Sequence, residues 1–364
     1  MPQIEKTKIN YKLFPNSTSE LRALRSGKWQ VYDEDETETF YSKQEPHKVR
    51  SGLTFTPYAN PTRCNAHCRF CSEELIRKHQ KERTASNLIL DHHQYFIGLA
   101  KALQDLSAIQ EIGLSLSGLE ATSDPTWLIR LLTLLGQKEG VPKFNEKVLY
   151  TNGSGLYKYP EILTALGKAQ FDRFEISRCH YDEAINQSIM YINRNEPVYQ
   201  NTHYEQLIGS LVPAFNVKNS CILTQTGIHT IVDVEYYLDW VRSLGVKKVV
   251  FRELSRLDKS YRENRTKLWI EKNRVPIDTI LQQIMPRLGT LRKGWKYQYS
   301  RAGYYYYNES FRYQNEVDVI LETSSYTALN ANRKEEIIQK LVFHSNGNLC
   351  GGWDPNREVI ASYF

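Results

Sequence analysis

Between Leu53 and Arg252 the chain repeats one local pattern: a short strand-like run, then a stretch with apolar residues at helical spacing. Six runs read as strands: Leu53 to Phe55, Glu111 to Ser117, Lys147 to Thr151, Phe171 to Ser177, Ser220 to Thr224 and Val246 to Arg252. Helical patterns lie between them. Phe96, Leu99, Leu103 and Leu106 form one; Asp124-Pro125 caps a second bearing Trp127, Leu128, Leu131, Leu132 and Leu135. Pro160 to Leu166 is a short third, and Asp182 caps a fourth with Ile185, Ile189 and Ile192. Asp233 opens a fifth, which Gly245 closes. Strands alternating with helices predict an α/β fold with a parallel sheet and right-handed crossovers. Periodicity leaves a doubly wound sheet and a partial barrel both open, and both place ligands at the carboxyl ends of the strands.

The pattern changes after Arg252. Pro276 to Leu288 reads as helical, Tyr297 to Tyr307 and Val317 to Leu321 as Tyr-rich short strands, and Asn346-Gly347 as a hairpin turn. The Tyr-rich strands suit a pocket wall or an amphipathic sheet. The chain therefore divides into an irregular extension (1–50, with Phe14, Trp29 and Tyr32), an α/β body (51–255) and a substrate-covering α+β appendage (256–364). With 41% hydrophobic and 24% charged residues the composition is globular. A net charge of +6 without a dense basic block fits a slightly basic enzyme surface better than a nucleic-acid binder. No apolar run is long enough for a bilayer and the first residues lack a secretion core, so no membrane is expected and a cytoplasmic, reducing location is.

Three of the six cysteines fall within eight residues, Cys64-Asn65-Ala66-His67-Cys68-Arg69-Phe70-Cys71. A disulfide framework spreads its cysteines; clustering in a reducing compartment points to a metal or an iron–sulfur cluster. Four thiolates fill every iron of a [4Fe–4S] cluster, so three leave one iron open to a chelating ligand. The alternative is a zinc site, in a zinc-bearing nucleic-acid-binding module. It needs a fourth ligand, and His67 lies inside the loop, poorly placed to point with the flanking thiols.

This loop, with its aromatic Phe70 before the third cysteine, resembles the signature of the radical S-adenosylmethionine (radical SAM) superfamily over about residues 50–255. The resemblance implies a partial (β/α)6 TIM-like barrel. It further implies a [4Fe–4S] cluster on Cys64, Cys68 and Cys71, with S-adenosylmethionine chelating the open iron. Reductive cleavage would then give a 5′-deoxyadenosyl radical that takes hydrogen from a substrate. Ser117-Gly118-Leu119-Glu120 is similar to the family's Gly-Gly-Glu motif. It departs from it where Leu119 replaces a glycine, which puts the backbone role in doubt more than that of Glu120. Glu120 would hold the cofactor ammonium. Thr151-Asn152-Gly153 resembles the MoaA-like branch, with Thr151 and Asn152 near the cofactor. Ser177 and Arg178 would face its ribose and carboxylate, and Arg252 the substrate.

The C-terminal cysteine motif for a second cluster, expected of that branch, is absent from the sequence. Cys179, Cys221 and Cys350 stand apart. Cys179 at a strand end and Cys350 in a flexible covering loop are candidate hydrogen-atom donors or auxiliary ligands; Cys221, mid-strand, is packing. The expected partners are a small biosynthetic metabolite, with a ribosomal peptide as the alternative, and an electron donor such as flavodoxin or ferredoxin.

Overall fold

The computed structural model describes residues 29–31, 36–58, 60–75, 88–89, 91–257, 261, 263–286, 290–302, 306–324 and 337–364. Phe14 and Tyr32 lie outside the described residues, as does part of the Tyr-rich run.

The strands are β1 (Trp29–Val31), β2 (Thr37–Ser42), β3 (Glu45–Arg50), β4 (Leu53–Tyr58), β5 (Ile112–Leu116), β6 (Phe144–Thr151), β7 (Arg173–Ser177), β8 (Val217–Leu223), β9 (Lys248–Glu253), β10 (Trp295–Ala302), β11 (Tyr306–Tyr313), β12 (Val317–Ser324), β13 (Leu341–His344), β14 (Asn348–Cys350) and β15 (Val359–Ser362). The helices are α1 (His92–Leu106), α2 (Pro125–Leu135), α3 (Ser154–Lys158), α4 (Pro160–Lys168), α5 (Glu183–Met190), α6 (Asn201–Leu211), α7 (Ile231–Ser243), α8 (Arg265–Asn273) and α9 (Ile277–Ile284).

Strands β4 to β9 lie side by side in chain order, every neighbouring pair parallel. This is the expected six-strand α/β core, a parallel sheet with intervening helices of partial TIM-like barrel type. The sheet continues past both edges. Parallel β12 joins β9 and carries antiparallel β11 and β10, with β1 beyond them; parallel β13 joins β4 and carries β14 and β15. The segment read as an appendage thus supplies strands to both sides of one sheet. Residues 37–50, read as irregular, form the β2–β3 hairpin.

Helices pack on one face. Tyr237 of α7 meets Phe251 of β9, and Tyr95 of α1 meets Phe343 of β13. The other face is polar and lines a cavity of 570 Å3. Asp91, Asp124 and Asp182 accept from backbone N–H groups at the starts of α1, α2 and α5. Asp233 is not the first residue of its helix: Thr230 caps α7, and Asp233 completes a reciprocal capping box. Helix α6 was not anticipated, although Tyr204, Leu207, Ile208 and Leu211 are all buried at helical spacing. Among the described residues no helix is long and apolar enough to cross a membrane.

Candidate active site

The cysteine loop leaves the carboxyl end of β4. Its residues 65–69 pair with 189–193, the last residues of α5 and those that follow it: Ala66 bridges Ile192, His67 N–H donates to Tyr191 O, Arg69 N–H to Ile189 O, and Asn193 N–H to Asn65 O. Arg69 also donates to Ser188 O and to the Tyr191 hydroxyl. A turn from Cys71 N–H to Cys68 O brings the last two cysteines together and leads into one 3-10 turn, Ser72–Glu74. The continuation expected as helix lies mostly outside the described residues.

Cys64, Cys68 and Cys71 form no disulfide among the described residues and are half-buried. Burial pushes the Cys64 thiol up to about 12, and the Glu120 carboxylate adds to it. Cys68 is also raised, by burial first and then by Cys71, Cys179 and Cys64. These mutual effects place the thiols around one space. Such thiols stay protonated alone and lose their protons to a metal cluster. Among the described residues no three Cys, His, Asp or Glu side chains converge on a single-ion point. Phe70 is partly buried against the core beside the loop.

The loops after β5 and β6 are sewn to the cysteine loop. Glu120 is 2% exposed and accepts from Thr122 N–H (3.1 Å), the Thr122 hydroxyl (2.6 Å), the Thr151 hydroxyl (2.5 Å) and Asn152 N–H (2.8 Å). Burial lifts its pKa against the pull of these donors. Asn60 Nδ2 donates to Glu120 O, and Asn152 Nδ2 to Asn65 Oδ1. Glu120, Thr151 and Asn152 therefore stand together. Asn60, Asn65 and Thr122 join them without having been singled out; the turn residues flanking the cysteines were the available signal.

Gly118 and Leu119 both have positive φ, +86° and +49°. A Cβ on Gly118 would fall 1.5 Å from the Tyr58 ring, so glycine is obligatory there. Leu119 holds the left-handed conformation that a second glycine would adopt freely. Ser117 hydrogen-bonds Ser115 and lines the cavity. The Tyr58 ring also meets Trp353 (5.1 Å) and His344 (5.9 Å), which ties this loop to the C-terminal strands.

Two expectations shift. Arg178 is fully buried on the helix-covered side: its guanidinium bonds Val198 O and Asn201 and lies over the Tyr204 ring. The strand's alternation turns Arg178 with Phe174 and Ile176 toward the helices, away from the cavity. Cys350 is not in a flexible loop but ends β14, fully buried beside Asp354 and Glu358. Cys179 is 1% exposed, its N–H donating to Asn186 and its carbonyl accepting from the Cys221 thiol. The charge of Cys179 bears on Cys68.

Ser177 ends β7 on the face of Glu175, where an ionic cluster crosses four strands. Lys218 Nζ lies 3.0 Å from Glu175 Oε2 and Arg252 Nη1 2.5 Å from Glu175 Oε1. Arg252 Nε donates to Glu322 Oε1 at 2.8 Å, and Nη1 to Ser220 Oγ at 2.9 Å. Burial alone would raise Glu175, but Arg252 and Lys218 outweigh it and hold the carboxyl below its ordinary value. Arg252 was expected at the mouth. Glu175, Lys218 and Glu322 were missed, though Glu175 between apolar Phe174 and Ile176 was a legible signal.

No protein-family model and no curated protein matches the sequence. Among solved structures the chain is similar to Streptococcus suis SuiB, 12% identical over 84% of this chain and 61% of SuiB, with a TM-score of 0.47. SuiB has also been solved with S-adenosylmethionine and with its precursor peptide SuiA. It is similar too to Escherichia coli coproporphyrinogen III oxidase (HemN), described as a radical SAM enzyme: 14% identity, 72% of this chain and 67% of that one, TM-score 0.40. A third is the radical S-adenosylmethionine methyltransferase TsrM of Kitasatospora setae with cobalamin and a [4Fe–4S] cluster: 10% identity, 79% and 54% coverage, TM-score 0.41. This chain spans about three fifths of the length of SuiB.

Proposed function

We propose that this chain is a radical SAM enzyme acting on a small organic substrate held in the barrel. The observation that carries this reading is the loop Cys64-x3-Cys68-x2-Cys71 at the carboxyl end of the first core strand, clamped to the loops after β5 and β6. The donor set fits the group: three thiols that form no disulfide among the described residues, with Cys71 and Cys64 both bearing on Cys68. Cys64, Cys68 and Cys71 would hold a [4Fe–4S] cluster, and the segment from Ser117 to Glu120 with Thr151 and Asn152 would border S-adenosylmethionine. When bound, the pair supplies a hydrogen-abstracting carbon radical.

The chain's own residues do the rest. Glu120 fixes the β5 and β6 loops relative to each other, so the cofactor-facing backbone is set before binding. Tyr58 and Trp353 wall the space between the Gly118 turn and the cavity. Cys179, Cys350 and Arg252 remain candidates for quenching or holding the substrate; Cys179 has the best support, beside Cys68. Thr151-Asn152-Gly153 favours the MoaA-like branch within the superfamily. The precursor peptide bound by SuiB is the model for the alternative, a peptide substrate. A cytoplasmic location and a flavodoxin or ferredoxin as electron source follow from the same reading.

Anaerobically reconstituted protein, reduced with dithionite and given S-adenosylmethionine, should be brown and release 5′-deoxyadenosine. Cys68→Ala should lose the chromophore and the product together. A colourless wild-type protein with stoichiometric zinc would end the reading.

A further inference from the structure

The four charges on the cavity-side face of the sheet leave two atoms of one ion pair unused. Glu175, Lys218, Arg252 and Glu322 come from neighbouring strands β7, β8, β9 and β12, and Arg252 and Glu322 are register partners. Glu175 and Lys218 are buried, with side chains 1% and 8% exposed, and act as the fixed base. Arg252 and Glu322 are 26% and 24% exposed and form the open end. The guanidinium is immobilised through Nε to Glu322 Oε1 and through Nη1 to Ser220 and Glu175. Its Nη2 enters no hydrogen bond among the described residues, and neither does Glu322 Oε2. A guanidinium nitrogen with two unused N–H donors and a carboxylate oxygen with unused lone pairs thus belong to one ion pair, Arg252 with Glu322. Tyr150 links this pair to the 570 Å3 cavity, which it lines together with Ser117 of the Gly118 turn. Its phenol feels the charges of Glu175, Arg252 and Glu322.

We infer that this open end binds a zwitterion, a free α-amino acid or a close analogue, with its carboxylate on Arg252 Nη2 and its ammonium on Glu322 Oε2. Two positive and two negative charges already cancel within the cluster. A zwitterion adds no net charge to that low-dielectric wall, whereas a polyanion or polycation would be left uncompensated. An internal residue of a peptide has neither free group and gains nothing from the pair. The inference deepens the proposed function, and rests on it for the chemistry that follows binding.

The test uses full-length, cluster-loaded protein and thermal-shift titration with each common free L-amino acid, its N-acetyl form and its carboxamide. At least one free amino acid should raise Tm saturably, and blocking either end should weaken its binding about tenfold or more, the loss of one charged hydrogen bond. Arg252→Lys and Glu322→Gln, each first checked for a native Tm without ligand, should weaken the same ligand by a similar factor. Arg252→Lys should also lose the preference for a free carboxylate, and Glu322→Gln that for a free amine. The inference is overturned if no free amino acid binds the wild-type protein, or if the blocked forms bind as well as their parents. Dithionite-driven 5′-deoxyadenosine release, assayed in wild-type protein without these ligands, reports separately on the radical SAM reading.

Discussion

The loops after β4, β5 and β6 and the wall formed by β7, β8, β9 and β12 both bury a glutamate, with opposite results. Glu120 is held by hydroxyls and backbone N–H groups and pairs with no cation among the described residues, so burial wins and its pKa rises. Glu175 is buried as deeply but has Arg252 and Lys218 against it, and its pKa falls. The first region uses neutral donors to fix loop geometry beside three thiols. The second uses full charges, which are costly to desolvate and are retained only as a matched set. Neutral clamping suits a place where a charged cofactor is to sit; a balanced ionic wall suits a place that orients a ligand of mixed charge.

The largest break in this contrast should come from Glu175→Ala. It strands Lys218 and Arg252 without their shared partner and should cost about 3–5 kcal/mol in chemical denaturation. A loss below about 1 kcal/mol would show that the charges are solvated and the wall is not a unit. The same residue sets a pH dependence. With its folded pKa below the ordinary 4.5, Glu175 contributes stability that is complete above that value and is lost as pH falls through the lower folded one. Glu175→Gln should therefore flatten the acid limb of the stability curve and leave its slope above the carboxylate range unchanged.

On the other side of the comparison, Gly118→Ala should cost about 1–3 kcal/mol, because a Cβ there meets the Tyr58 ring at a positive φ. It should also weaken S-adenosylmethionine binding, measured by equilibrium dialysis on cluster-loaded protein. The smallest effect belongs to Asn60→Ala. It removes the link from Asn60 Nδ2 to Glu120 O and should cost about 1 kcal/mol by urea midpoint, with Cys68 and its neighbours still able to take up iron.

The two regions also differ in how far the sequence discloses them. The cysteine loop, Glu120 and Thr151-Asn152 sit in short motifs at strand ends, where spacing along the chain is nearly spacing in space. The core strands were legible for the same reason, since each carries its own apolar pattern. Glu175, Lys218, Arg252 and Glu322 span nearly 150 positions, and only the strand order brings them together. Arg178 misled because its position at a strand end says nothing of which face it takes, and the pleat turns it toward α6. Cys350 was read as part of a flexible loop, yet the Asn346-Gly347 turn before it had already committed β13 and β14 to a hairpin. The sheet's extension past β4 and β9 depends on pairings between distant segments that carry no local signature.

The central claim is that Cys64, Cys68 and Cys71 hold an iron–sulfur cube with one iron left open. Mössbauer spectroscopy of protein reconstituted with iron-57, before and after addition of S-adenosylmethionine, tests it most directly. The account predicts about four irons per chain, one of which changes its isomer shift when the cofactor is added. A spectrum unchanged by the cofactor, or iron retained in full by a protein lacking all three cysteines, would contradict it.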